Sequence, residues 1–168
     1  MKDKLFPVLI VLVAVLVRFL PHPANVAPIA AMALFGGAYL NKKYAVILPL
    51  AAMLISDCFL GFHKVMPFVY GSFLLASIIG IGLKNKIKVK NVLGASLLSS
   101  LIFYVITNFG VWLTSGMYQM NLLGLIKCYV LAIPFFRNTL VGDLFYTVMM
   151  FGGYEAVVKL SKKVEVKA

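Results

Sequence analysis

Ten side chains in this sequence are of types that bind or orient a ligand, and they recur at one end of successive apolar stretches. Arg18, His22 and Asn25 fall within RFLPHPANV, Asp57 closes an apolar run, and Tyr70 opens the next. Asn108 and Trp112 lie four apart, and Arg137, Asn138 and Asp143 crowd the start of the last long apolar stretch. Guanidinium and imidazole groups offer charge-assisted hydrogen bonds, amides and carboxylates orient a ligand, and phenol or indole rings give it a stacking face. This is the chemistry of binding. Catalytic signatures are missing: there is no GxSxG, no P-loop, no HExxH, no paired carboxylates on one helix and no Cys/His nucleophile arrangement. We therefore expect no enzyme, no cofactor and no metal site. His22 and His63 have no carboxylate or thiol at ligand spacing, and Cys58 and Cys128, without CxxC spacing, read as free packed thiols. Without a phosphate-binding loop, any active transport would draw its energy from another subunit or an ion gradient.

The elements that must position these residues follow from composition. Of 168 residues, 62% are hydrophobic and 12% charged, with a mean hydropathy of +1.00. One soluble core of this length cannot hide so much apolar surface, so the natural solvent is the lipid bilayer. The net charge of +11 does not point to nucleic acid, because the basic residues sit in short clusters between apolar runs. Six membrane segments can be read in one domain covering 1–168: about 5–20, 26–40, 44–60, 67–83, 92–113 and 138–158. The fold class is an all-α integral membrane protein. Segment 123–136 carries Lys127, is interrupted by Pro134 and is short for a span, so we expect a separate interfacial or re-entrant helix there. Six spans with both termini in the cytoplasm place twelve of the sixteen Lys and Arg inside, leaving Arg18, Lys64, Lys127 and Arg137 outside. The expected location is the cytoplasmic (inner) membrane, multi-pass, with the first apolar run retained as a helix. No internal repeat or low-complexity segment is evident.

With that orientation the ten candidate residues gather at the outer face. Asn108 and Asp143 lie on the order of 7–8 Å in from their helix ends. Asn108 and Trp112 share one helix face, and Thr139, Asp143 and Thr147 form a stripe on another. An ionised aspartate facing lipid is costly, so Asp143 should face the bundle interior and have a partner. Two readings follow: a shared pocket open to the outside, or ion pairs such as Arg18–Asp57 and Arg137–Asp143 that hold helices together. Pro21 and Pro23 stiffen the first outer loop and hold His22 and Asn25 across the mouth of such a pocket. Pro28 suits the first turn of the second helix, with Asn25 as its candidate N-cap. Ala27 and Ala31, like Ala33 and Gly37, are four apart and permit close approach of another helix, within the chain or from a partner.

Four blocks carry a family resemblance: RFLPHPANVAPIAAMALFGGAYL, then PLAAMLISD with GFH, then TNFGVWLTSGMY, then AIPFFRNTLVGDLFYTVMMFGG. They look like the signature blocks of an uncharacterised bacterial family of small six-helix membrane proteins. That family resembles the substrate-binding (S) components of energy-coupling factor (ECF) transporters. The resemblance implies an S-component-like bundle that binds a vitamin-like metabolite near its outer face, under the loop between its first two helices. It also implies partners: a transmembrane T component and ABC-type ATPases. Many S components carry an Ala-x-x-x-Ala contact motif for the T component in their first helix, where this sequence has only Ala14. Its small-residue spacing sits in the second helix instead. The expected function is thus substrate capture for micronutrient uptake. The rival readings are a structural scaffold of the cell envelope, and an ion-coupled carrier or intramembrane enzyme using Asp57 or Asp143 as a proton relay.

Overall fold

Long apolar runs separated by short polar breaks give helices, with no strand among the described residues. The computed structural model describes residues 2–17, 26 and 28–165. Its elements are α1 (Lys2–Val17), α2 (Ile29–Tyr39), α3 (Lys42–Leu60), α4 (Met66–Leu83), α5 (Val89–Thr114) and α6 (Leu122–Glu165). The α4–α5 connection KNKIK turns through Asn85 at φ 69°, a conformation that Asn tolerates better than most residues.

The centre of the molecule is α2. Its sequence IAAMALFGGAY is apolar all round, and ten residues in succession from Ile29 to Ala38 are buried. Within the segment expected at 26–40, the eleven residues Ile29–Tyr39 make a buried helix about 16 Å long, shorter than the roughly 30 Å hydrocarbon core. Its N-cap is Pro28, whose carbonyl accepts from the Met32 amide at 2.8 Å, and not Asn25. The ring fixes φ near the helical value, so the chain can begin the helix there without a side-chain cap. α2 lies closest to α4. A methyl group placed on Gly37 would lie 2.5 Å from the Ser77 carbonyl oxygen and 2.6 Å from Gly80, and one on Gly80 would strike the Leu34 carbonyl. The two backbones touch because neither glycine has a Cβ.

The second departure is α6. The short helix expected at 123–136 and the last span expected at 138–158 form one continuous helix of 44 residues. Pro134 removes a single intrahelical bond. The helix continues through it, packed on α5: the Tyr104 hydroxyl donates to the Tyr129 carbonyl, the Tyr129 hydroxyl to the Val105 carbonyl, both at 2.7 Å, and the Tyr104 and Phe136 rings lie 4.5 Å apart.

Among the described residues, three helices are long and apolar enough to cross a membrane: Met66–Leu83, Val89–Thr114 and Leu122–Ser161. Their outward faces carry exposed Leu97, Leu98, Leu101 and Val105 on α5, and Val141, Phe145, Val148 and Met149 on α6. A continuous apolar surface of this extent suits lipid and not water.

Candidate functional site

Arg18, His22, Asn25 and Ala27 lie outside the described residues, and with them the pair Arg18–Asp57. The other candidates fall into distinct places. Asp57, near the end of α3, is buried and accepts a hydrogen bond from the Tyr70 hydroxyl of α4 at 2.7 Å. Trp112 is half-buried beside Phe109, and its Nε1 donates to the Gln119 carbonyl at 3.0 Å, fastening the α5–α6 connection. Arg137 and Asn138 are exposed on α6. Arg137 therefore does not pair with the buried Asp143: six residues apart on one helix, the two point in widely different directions. Ala31, Ala33 and Gly37 are buried inside α2. Cys58 is exposed, not packed, while Cys128 is buried, and both are free.

The stripe Thr139–Asp143–Thr147 faces α5 and is buried along its whole length. Its partners are serines. Ser100 Oγ lies 2.6 Å from Asp143 Oδ2 and 3.1 Å from the Ser96 carbonyl, and Ser96 Oγ lies 3.1 Å from Thr147 Oγ1. The carboxyl is thus held by a neutral hydroxyl. On the other side of α5, Phe68 packs on Gly110 and Phe73 on Phe103, an antiparallel register that sets Ser77 and Ser99 at one level. Both hydroxyls are buried and have no hydrogen-bond partner among the described residues.

A cavity of about 360 Å³ opens between α4, α5 and α6 at the end bearing His63. Phe103, Tyr104, Phe135 and Phe136 give it aromatic walls, and Thr107, Asn108, Thr139 and His63 give it polar groups. Each polar group on a helix spends a donor on its own preceding turn. Thr107 Oγ1 donates to the Phe103 carbonyl at 2.6 Å, Asn108 Nδ2 to that of Tyr104 at 2.8 Å, and Thr139 Oγ1 to that of Phe135 at 3.1 Å. The hydroxyl lone pairs and the Asn108 side-chain carbonyl remain as acceptors. A guest here meets aromatic rings and acceptor oxygens. Of the seven candidates among the described residues, Asn108 alone lines this cavity, and Asp143 lies one turn beneath Thr139. Sequence reasoning placed Asn108, His63 and Thr139 at this end but did not single out Thr107, Phe103, Tyr104 or Phe136. The signal was present in FYVITN, where small polar and aromatic residues alternate at helical spacing. Among the described residues, no three His, Cys, Asp or Glu side chains converge as metal ligands would.

Comparison with known proteins gives one family: residues 1–166 match the model of a family of unknown function, DUF6580, and the chain belongs to it. No curated protein and no solved structure shows significant similarity to the chain.

Proposed function

We propose that this member of DUF6580 is a substrate-capture subunit for uptake of a small metabolite, bound in the cavity between α4, α5 and α6. One observation carries the reading: a cavity of about 360 Å³ with aromatic walls and acceptor oxygens at one end of a helical membrane protein. Small-molecule sites have this size and this mixture of apolar surface with a few placed polar groups. The acceptors favour a planar guest bearing N–H or O–H donors, of the size of a vitamin or its precursor. Lysine clusters at the opposite end, Lys84 to Lys90 and Lys159 to Lys163, support a cytoplasmic placement of that end and an outward-opening cavity. Six segments would then cross or enter the membrane as in S components, with α2 as the core. The chain carries no ATP-binding loop, so active uptake would draw its energy from an ion gradient or from another subunit, of the kind formed by a T component with ABC-type ATPases.

The test is native mass spectrometry of the full chain purified from its own membranes in mild detergent. Wild type should carry a small molecule. Asn108→Ala and Thr139→Val, which each remove an acceptor, should weaken its retention roughly 5- to 150-fold, the equivalent of about 1–3 kcal/mol for an unpaired polar contact. Wild type without a bound metabolite, or variants that retain it equally, would refute the proposal. A scaffold role is favoured by a different observation: Asp57 and Asp143 are both held by hydroxyls on neighbouring helices. Under that reading the same two variants lower thermal stability and alter no ligand response.

A further inference from the structure

At the lysine-rich end, the start of α5 and the later part of α6 border a cavity of about 410 Å³. One face of α6 lines it throughout, because Thr147, Phe151, Glu155 and Lys159 recur every fourth residue. Val92 and Leu93 of α5 add to the apolar lining, and Lys88, just before that helix, supplies a second ammonium group. The two lysines thus lie towards the end of the bundle and the apolar side chains towards its middle. The twelve residues from Thr147 to Lys159 cover about 18 Å of helix, close to the roughly 20 Å of one leaflet with its headgroups. Beyond the cavity the apolar lining runs on. α5 and α6 are antiparallel, since Ser96 meets Thr147 and Ser100 meets Asp143. Leading away from the lysines, Leu93 is followed at helical spacing by Leu97 and Leu101, and Val148 by Leu144 and Val141. Leu97, Leu101, Val148 and Val141 are exposed.

We propose that this cavity binds one anionic phospholipid of the phosphatidylglycerol class, with its phosphate diester on Lys88 and Lys159 and an acyl chain along the two apolar stripes. Charge selects the class. Lys88 and Lys159 against the single carboxylate of Glu155 leave the lining with one net positive charge, the complement of one phosphate diester. Among the described residues neither lysine forms an ion pair, so both ammonium groups are open to the phosphate. The Tyr39 hydroxyl donates to Glu155 Oε1 at 3.0 Å, which fixes the carboxylate and leaves its second oxygen to accept from a headgroup hydroxyl. A glycerol headgroup carries such hydroxyls.

Lys84, Lys86 and Lys90 are exposed on the same stretch of chain and add to the positive field that draws an anion to this end. A free phosphate would satisfy the lysines but leave Val92, Leu93, Val148 and Phe151 uncovered, whereas an acyl chain covers them. A zwitterionic lipid would cover the walls, but its own cation would cancel the charge match. The site holds whether or not the His63 cavity takes a metabolite, so its test needs no transport assay.

The full chain in mild detergent is titrated with phosphatidylglycerol or phosphatidylethanolamine, each with and without inorganic phosphate, and native mass spectrometry follows the lipid retained. Wild type should hold one phosphatidylglycerol, more tightly than phosphatidylethanolamine and undisturbed by inorganic phosphate. Lys88→Gln combined with Lys159→Gln should weaken that retention roughly 30-fold, the equivalent of about 1 kcal/mol for each lysine. Lys42→Gln combined with Lys43→Gln removes two exposed lysines of α3 that do not line the cavity, and should leave retention unchanged. Gly152→Leu places a side chain in the cavity, where an added Cβ meets nothing within 4 Å, and should displace the acyl chain. Equal retention of the two lipids, release by inorganic phosphate, or an equal loss in the Lys42 and Lys43 variant would each overturn the proposal. So would undiminished retention in either cavity variant. Should Gly152→Leu fail to fold, the exposed lysine pairs decide the matter by themselves.

Discussion

Replacing Gly37 by alanine tests the contact on which the bundle is built. A Cβ at this position would lie 2.5 Å from the Ser77 carbonyl oxygen, and 2.6 Å from the Gly80 carbonyl carbon and the Ile81 nitrogen. Ordinary contact begins near 3.4 Å, so α2 and α4 must part by about 1 Å. All three atoms are backbone, and no side chain can swing aside. A gap of that size forfeits a quarter to a half of the dispersion energy of each atom pair along the seam. Overpacking typically costs about 1–3 kcal/mol, and an immovable backbone puts this site at the upper end. Alanine returns at most about 1 kcal/mol of helix propensity over glycine. The net loss is therefore about 2 kcal/mol or more. Gly94, on α5, has nothing within 4 Å of its Cβ position, so Gly94→Ala should be neutral or stabilising by up to about 1 kcal/mol. Unfolding of both variants in mixed micelles titrated with a denaturing detergent measures the difference. If Gly37→Ala proves as stable as Gly94→Ala, the close α2–α4 packing is wrong.

Three further substitutions test the polar interior and the connection that closes it. Ser99→Ala removes a buried hydroxyl that has no partner among the described residues, and should stabilise the fold by about 1 kcal/mol in the same assay; a loss of stability would mean the hydroxyl is bonded. Tyr70→Phe deletes the 2.7 Å bond to buried Asp57 and should cost about 1.5–3 kcal/mol, whereas an unchanged unfolding midpoint would show that the bond contributes nothing. Trp112→Phe removes the 3.0 Å bond to the Gln119 carbonyl, so cleavage of the segment 115–121 by added protease should speed up, and an unaltered rate would contradict that anchoring role.

The helices were legible because apolar runs end at breaks the chain cannot hide, such as KNKIKVKN and GFHK. Pro134 and Lys127 look like breaks of the same kind, yet α6 runs through them. A lone sequence does not show that Tyr104 and Tyr129 bond across to the facing helix at that level. The stripe Thr139–Asp143–Thr147 follows from spacing by fours, but its partners do not. Ser96, Ser99 and Ser100 read equally as small packing residues or as donors, and only the α5–α6 register decides between them. The same holds for Asp57 and Tyr70, thirteen residues apart, which meet because the α3–α4 turn is short. Arg137 was misleading: its charge and its nearness to Asp143 suggested an ion pair, while helical geometry sends the two to different faces.

Under the proposed function, the length of α6 decides where a ligand would enter. Forty-four residues make about 66 Å of helix, twice the roughly 30 Å hydrocarbon core. Tilt alone would have to reach about 60° to fit it, beyond the roughly 40° limit seen for membrane helices. One end must therefore project. Lys159 anchors the lysine-rich end, and about twenty residues back along the helix, one hydrocarbon thickness, lie Thr139 and Leu140. With Lys159 placed at the interface, the stretch from Leu122 to Arg137 would stand beyond the core, and the far end of α5 would stand with it, tied by the Asn108–Cys128 contact and the tyrosine bonds. Thr139 marks the level where the projecting part begins. Under the proposed function, a cavity bounded by Thr139, Asn108 and His63 would open at headgroup depth, where a polar metabolite would arrive from water without crossing acyl chains. Asp143 lies about 6 Å below that floor, where it would be near enough to feel a guest's charge and deep enough to be shielded from bulk solvent.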